Sequence, residues 1–233
     1  MRLTDRFYAY FWQGFGNNCN SYLYRGKKLV LIDPGHIVNE SGERCFDTLT
    51  RSLSADGIDL EEIEFILCTH GHPDHVEAAG VIREQSGAKL GIHRQDAFFL
   101  EALEQRARAA GSTEIPPLAP DFYLQAGELT LGLPEAAEKD LIQVIETPGH
   151  SPGSLCFYFP EEKTLVTGDT VFDSSIGRSD LPGGDLEALG NSVGALSRLE
   201  GVELLLPGHM GPVRGAEKIG RNFDLIRRMF FSP

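Results

Sequence analysis

Short apolar runs alternate with stretches of helical spacing along most of this chain. In "NSYLYRGKKLVLIDPG" two apolar runs flank the polar turn "RGKK", which predicts a β-hairpin. "GERCFDTLTRSLSADG" places Phe46, Leu49 and Leu53 on one helical face and closes on Gly57. "IEFILCT" is a continuous apolar run, the pattern of a central strand covered on both faces. "DHVEAAGVIREQSG" predicts an amphipathic helix ending on Gly87, "AKLGIH" a strand, and "RQDAFFLEALEQRARAAG" the longest helix. "STEIPPLAP", with three prolines, predicts a loop.

The second half repeats the alternation. "LIQVIETPG", "SLCFYF" and "KTLVTGD" read as strands, "DLEALGNSVGALSRLEG" as a helix, "VELLLPGH" as a strand and "AEKIGRNFDLIRRMFF" as a closing helix. Strands followed by helices in both halves predict an α+β chain of two mixed sheets with helices outside. No low-complexity linker divides it, so a single domain over residues 1–233 is expected.

Polar clusters interrupt this pattern at strand ends. "FILC" runs into His70, His72, Asp74 and His75, "VIETPG" into His150, "LVTG" into Asp169 and "LLLPG" into His209. Of seven histidines in the chain, five sit in these positions. A single histidine after a strand would be an ordinary loop residue, the reading given to His36 and His93. The dense H-x-H-x-D-H followed by three more strand-end positions calls for a common cause. Imidazole and carboxylate are good ligands for zinc, iron and manganese. His70 and His72, two apart on extended backbone, point the same way. Seven such groups exceed the needs of one tetrahedral ion and suit two ions sharing a carboxylate. Metal ions would also satisfy polar groups placed beside a core.

Composition narrows the partners. A net charge of −13 disfavours nucleic acid. The densest basic segment, "RNFDLIRRMFF", reads as one face of a terminal helix. No apolar stretch reaches the roughly 18 residues of a membrane helix. The aromatic N-terminus lacks the form of a secretory signal, so a cytoplasmic location is expected. Cys19, Cys45, Cys68 and Cys156 form no CxxC pair and are expected to be free, buried thiols.

"THGHPDH", "TPGHSPGS", "TGDTVF" and "PGH" together resemble, in order and context, the metallo-β-lactamase-fold hydrolases, from "IDPGH" to "LPGHMGPV". "SSIGRSDLPGGD" is similar to the glyoxalase II-like, or hydroxyacylglutathione hydrolase-like, branch. The resemblance implies an αββα four-layer sandwich with the site at one edge between the sheets. It implies a first metal on His70, His72 and His150, a second on Asp74, His75 and His209, and Asp169 bridging both. It further implies a metal-dependent hydrolase in which a metal-bridging hydroxide attacks a thioester, with two divalent ions, zinc first and iron or manganese as alternatives. The substrate would be a small thioester or glutathione derivative. Water on such ions has a pKa lowered to about 7, and a thiol of pKa about 8.5 leaves without a dedicated acid. Asp74 is the candidate for a catalytic proton-transfer role. Arg178 is a candidate for a substrate carboxylate, or else pairs with Asp180 or Asp185. Asp33 is expected to be a turn residue or a support behind the ligands rather than a ligand itself. Gly149, Gly168 and Gly208 are expected to allow tight turns, and Tyr123 and Tyr158 to pack in the core. The rival reaction class is that of the similar persulfide dioxygenases, whose single iron would sit on His70, His150 and Asp169. A structural metal module and a phosphodiesterase of the same fold are weaker rivals, the latter because it would need a basic groove.

Overall fold

The computed structural model describes residues 1–109, 115–131 and 140–231. Backbone contacts separate two compact units: residues 1–124 with 131–140, and residues 125–130 with 141–233. Each is organised around one six-stranded mixed sheet.

The first sheet follows chain order. β1 (Phe7–Tyr10), β2 (Ser21–Arg25) and β3 (Leu29–Ile32) form an antiparallel meander. α1 (Cys45–Ala55) then returns the chain to β4 (Phe65–Leu67), parallel to β3. α2 (Pro73–Val76) and α3 (Ala79–Ser86) lead to β5 (Lys89–His93), and α4 (Ala97–Ala109) toward β6 (Phe122–Leu124), both strands again parallel to their predecessors. The predicted hairpin, central strand and α1 are all present. Leu49 and Leu53 of α1 pack with Leu31, Ile66, Ile82 and Leu90 in one apolar cluster. Full burial of such side chains is worth about 1.5–3 kcal/mol each.

One predicted helix differs. "DHVEAAGVIREQSG" is broken at residues 77 and 78, because the Ala78 N–H donates to the Gly35 carbonyl at 2.9 Å instead of continuing the helical ladder. The end of the longest predicted helix, at Gly111, and the first residues of "STEIPPLAP" lie outside the described residues. Residues 115–120 contain no helix or strand, as expected of a loop.

The second sheet has the order β12-β11-β10-β9-β8-β7, built from β7 (Gly127–Leu131), β8 (Asp140–Glu146), β9 (Leu155–Phe159), β10 (Thr164–Gly168), β11 (Leu204–Pro207) and β12 (Val213–Arg214). β9 is antiparallel to both β8 and β10, and β11 is parallel to β10. β8, β10 and β11 therefore run the same way and end at one edge of the sheet. α5 (Leu186–Leu196) and α6 (Ala216–Phe230) cover the sheet with Leu189, Val193, Phe223 and Ile226, packed on Leu165 and Leu205. The buried set Ile219, Phe223 and Ile226 makes α6 the amphipathic helix expected, with Arg227 and Arg228 on its exposed side. The short strands β1, β6, β7 and β12 carry no strong periodicity and escape a reading of pattern.

All four cysteines are free and buried. Tyr158 is buried, but Tyr123 is 43% exposed. Its ring lies under the Arg94 guanidinium at 4.0 Å, so a cation–π contact at the surface replaces the core packing expected of it. Among the described residues no helix is long and apolar enough to cross a membrane.

Candidate metal centre

The carboxyl ends of parallel strands are where open α/β sheets hold ligands, and both units place their titratable clusters there. In the first unit β3, β4 and β5 are parallel neighbours, so Asp33, the 69–75 loop and Asp96 emerge side by side. Asp33 accepts from the Thr69 N–H at 2.8 Å on one flank, and Asp96 accepts from the Gly71 N–H at 2.8 Å on the other. The loop is thereby clamped between two buried carboxylates. Pro73 at the first turn of α2 starts the helix that carries Asp74 and His75.

This clamp brings His70, His72, Asp74 and His75 together. The rings of His70 and His72 have centroids 4.8 Å apart, and those of His70 and His75 lie at 4.0 Å. His75 Nε2 is 3.8 Å from Asp74 Oδ2. In the second unit the same edge of the sheet unites His150, Asp169 and His209. Gly168 pairs with Pro207 after a shift of register at Val166, and the Gly208 N–H donates to the Gly168 carbonyl at 2.8 Å. Asp169 and His209 follow directly. Asp169 Oδ2 lies 3.5 Å from His150 Nε2 and 3.4 Å from His209 Nε2.

The hydrogen bonds behind these rings determine which nitrogen faces the cluster. His150 Nδ1 is 2.6 Å from the Arg178 carbonyl, which can only accept, so the Nδ1–H donates and a neutral ring presents its Nε2 lone pair. His75 Nδ1–H donates to Asp33 Oδ2 at 2.9 Å. The Thr69 hydroxyl donates to the same oxygen at 2.7 Å, which leaves its own lone pair to accept from His70 Nδ1–H at 3.1 Å. Three imidazoles thus carry their proton on the outer nitrogen. Outer hydrogen bonds of this kind orient metal-binding histidines.

The spacing of the inner atoms agrees. Separations of 3.4 to 3.8 Å are longer than the roughly 2.7–3.2 Å of ordinary hydrogen bonds. Ligand bonds of about 2.0–2.2 Å in a tetrahedral site give edges of roughly 3.4 Å. The residues present fit divalent metal, and three of the four buried thiols are held in the protonated form. Burial pushes Cys45 and Cys156 up to about 11, and Cys68 well above its ordinary value, so none is a thiolate at neutral pH.

Other expected residues fall into place around the clusters. Asp33 holds His75 directly and reaches His70 through Thr69, and does so at φ 52°, a left-handed conformation that aspartate tolerates. Gly149 and Gly168 have positive φ values of 140° and 47°, and Gly208 does not. Arg178 turns its side chain away into a two-pronged pair with Asp180, both contacts 2.9 Å, and serves His150 through its backbone carbonyl. Four contributors give no signal in the sequence. Thr69 relays Asp33 to His70, and Asp96 clamps Gly71. Asn17 Nδ2 donates to Asp74 Oδ2 at 2.9 Å. At Gly177 a Cβ would stand 1.9 Å from the Asp169 carbonyl oxygen and 2.9 Å from His150 Nδ1.

Such donor sets, on the strand ends of two mixed α+β sheets, are what a metal-dependent hydrolase requires. Residues 14–209 match the Metallo-beta-lactamase superfamily, and the chain belongs to that family, as a metallo-hydrolase of that fold. A probable metallo-hydrolase of Methanocaldococcus jannaschii is 34% identical over 200 residues, 84% of this chain and 89% of the relative. The hydroxyacylglutathione hydrolase GloC of Haemophilus influenzae is 32% identical over 181 residues, 77% of this chain and 78% of its own. Among solved structures, TTHA1623 in a di-iron-bound form superposes with a TM-score of 0.63 at 31% identity, covering 93% of this chain and 98% of the other.

Proposed function

We propose that this chain is a dinuclear metallo-hydrolase that cleaves a small thioester. His70, His72 and His150 would hold one ion, Asp74, His75 and His209 the other, and Asp169 would serve both. When bound, such ions supply Lewis acidity and a water whose pKa falls to about 7. The observation that carries the reading is the set of outer partners held by Nδ1 of His70, His75 and His150, namely Thr69 Oγ1 at 3.1 Å, Asp33 Oδ2 at 2.9 Å and the Arg178 carbonyl at 2.6 Å, an arrangement that turns the Nε2 atoms toward the cluster. The likeness to a hydroxyacylglutathione hydrolase points to a thioester of glutathione type. The leaving-group chemistry agrees, because a thiol of pKa about 8.5 departs as thiolate without help from a side-chain acid. Asp74 would then serve as ligand and could hold a proton on its carboxylate. Arg178, at the rim and paired with Asp180, would exchange that partner for a substrate carboxylate.

The test is elemental analysis of protein purified without added metal, together with anaerobic hydrolysis of S-lactoylglutathione. Two ions per chain and oxygen-independent turnover are expected. One iron per chain, with oxygen uptake on glutathione persulfide and no hydrolysis, overturns the reading in favour of a dioxygenase.

A further inference from the structure

The segment between β1 and β2 is held by carboxylates rather than by a core. Its N–H groups at Phe15 and Gly16 donate to the two oxygens of Glu43 at 3.1 and 2.7 Å, and that of Asn17 donates to Glu40 at 2.6 Å. Trp12 Nε1 closes the segment on the Gly16 carbonyl at 2.8 Å. The Asn39 amide and the two backbone N–H groups together hold the Glu43 carboxyl below its usual range, so the anchor stays charged at neutral pH. Two links then join this braced segment to the α2 turn. The Cys19 N–H donates to the Asp74 carbonyl at 3.2 Å, and Asn17 Nδ2 donates to Asp74 Oδ2 at 2.9 Å. Asp74 is consequently gripped at both its backbone and its side chain.

We propose that Asn17 is a positioning residue, whose carboxamide fixes the Asp74 carboxylate in the orientation that a divalent ion needs. A carboxylate on a short helical turn swings about its terminal torsion, which is broad and has no deep well. The Asn17 N–H occupies one lone-pair direction of Oδ2, while His75 Nε2 stands 3.8 Å from that same oxygen. The carboxylate's orientation is thereby restrained before an ion arrives. Because Asn17 is exposed, truncating it opens no cavity, and its loss reports on the hydrogen bond alone. The inference rests on the proposed dinuclear reading, in which Asp74 and His75 share one ion.

The experiment is a zinc titration of Asn17→Ala against a chromophoric chelator, with thermal unfolding of the metal-free proteins alongside. The variant is expected to keep one ion as tightly as the wild type and to hold the other about 10–100-fold more weakly, the usual effect of removing a group that orients a ligand. The metal-free unfolding midpoint should not move. Two ions held with wild-type affinity overturn the role of Asn17 and leave the dinuclear reading standing. A fall in the metal-free midpoint with no selective loss of one ion makes Asn17 a loop-stability residue instead. A wild-type chain that binds fewer than two ions removes the dinuclear reading itself, and this inference with it. Asn17→Ser, which keeps a short polar group, provides the same comparison should the alanine variant fail to fold.

Discussion

Single residues divide into those whose chemistry shows in the sequence and those whose role depends on where neighbours end up. His70, His72, Asp74, His75, His150, Asp169 and His209 stand out because polar, titratable groups at the ends of apolar runs need a reason. Thr69 and Asn17 do not, since threonine and asparagine occur everywhere in loops. Only the 2.7 Å bond to Asp33 and the 2.9 Å bond to Asp74 reveal them. Asp33 lies between these classes, and it carries a sharp prediction. Its carboxylate accepts three hydrogen bonds, from Thr69 N–H, Thr69 Oγ1 and His75 Nδ1. Asparagine also tolerates the left-handed backbone at this position, so Asp33→Asn changes the side chain alone. Its amide nitrogen would face a donor. Metal affinity should fall about 10–100-fold, measured by the same chelator competition. An unchanged affinity would mean that Asp33 supports folding only. Arg178→Ala is expected to behave in the opposite way. Its carbonyl, not its guanidinium, holds His150, so metal content should match the wild type, and any effect should fall on KM for an anionic substrate rather than on kcat.

Elements are readable where they are long or strongly periodic. α1, α5, α6 and the buried strands β4, β9, β10 and β11 follow from apolar spacing. The α2–α3 break does not, because it is produced by a tertiary hydrogen bond from Ala78 to Gly35 that no local pattern encodes. The strands β1, β6, β7 and β12 are set by pairing at sheet edges rather than by their own composition. The link between β10 and α5 is the element on which the second cluster depends most directly. Gly177 packs its backbone against the Asp169 carbonyl and the His150 ring, and a methyl group there has no space, at 1.9 Å from backbone oxygen. Gly177→Ala must therefore displace either the chain after β10 or the His150 imidazole. Backbone cannot yield as a flexible side chain does, so a 100-fold or greater loss of kcat/KM is expected, in keeping with the cost of a displacement near 1 Å at a reacting centre. Gly211→Ala, where a Cβ meets nothing within 4 Å, is the matched control and should leave turnover nearly unchanged.

At the scale of the molecule, two mixed sheets with helices are legible from the order of elements alone, and the family match over residues 14–209 confirms the fold class. What the alternation of runs cannot give is strand order. The parallel β3-β4-β5 and β10-β11 neighbours arise from crossovers through helices, and within each sheet those neighbours bring residues distant in sequence to one edge.

The burial that forms these sheets also sets how the whole chain responds to alkali. Cys156 is fully buried, with its thiol pushed up to about 11 by desolvation from an ordinary value of 9.0, and Cys68 and Cys45 shift in the same direction. A raised folded-state pKa means that the unfolded chain releases its thiol protons first as pH rises. Stability from these groups is therefore fully present below about pH 9 and is lost as pH climbs toward 11. For Cys156 alone, two units correspond to about 3 kcal/mol at 1.36 kcal/mol per unit. Urea midpoints of the metal-free protein should be level from pH 7 to 8.5 and decline between pH 9 and 11. Cys156→Ala should lose part of that decline, although it is less stable at neutral pH for want of a buried side chain. An identical pH slope in the variant would show that the alkaline loss comes from the other groups raised by burial, Cys45, Cys68, Tyr22 and Tyr24, and not from Cys156.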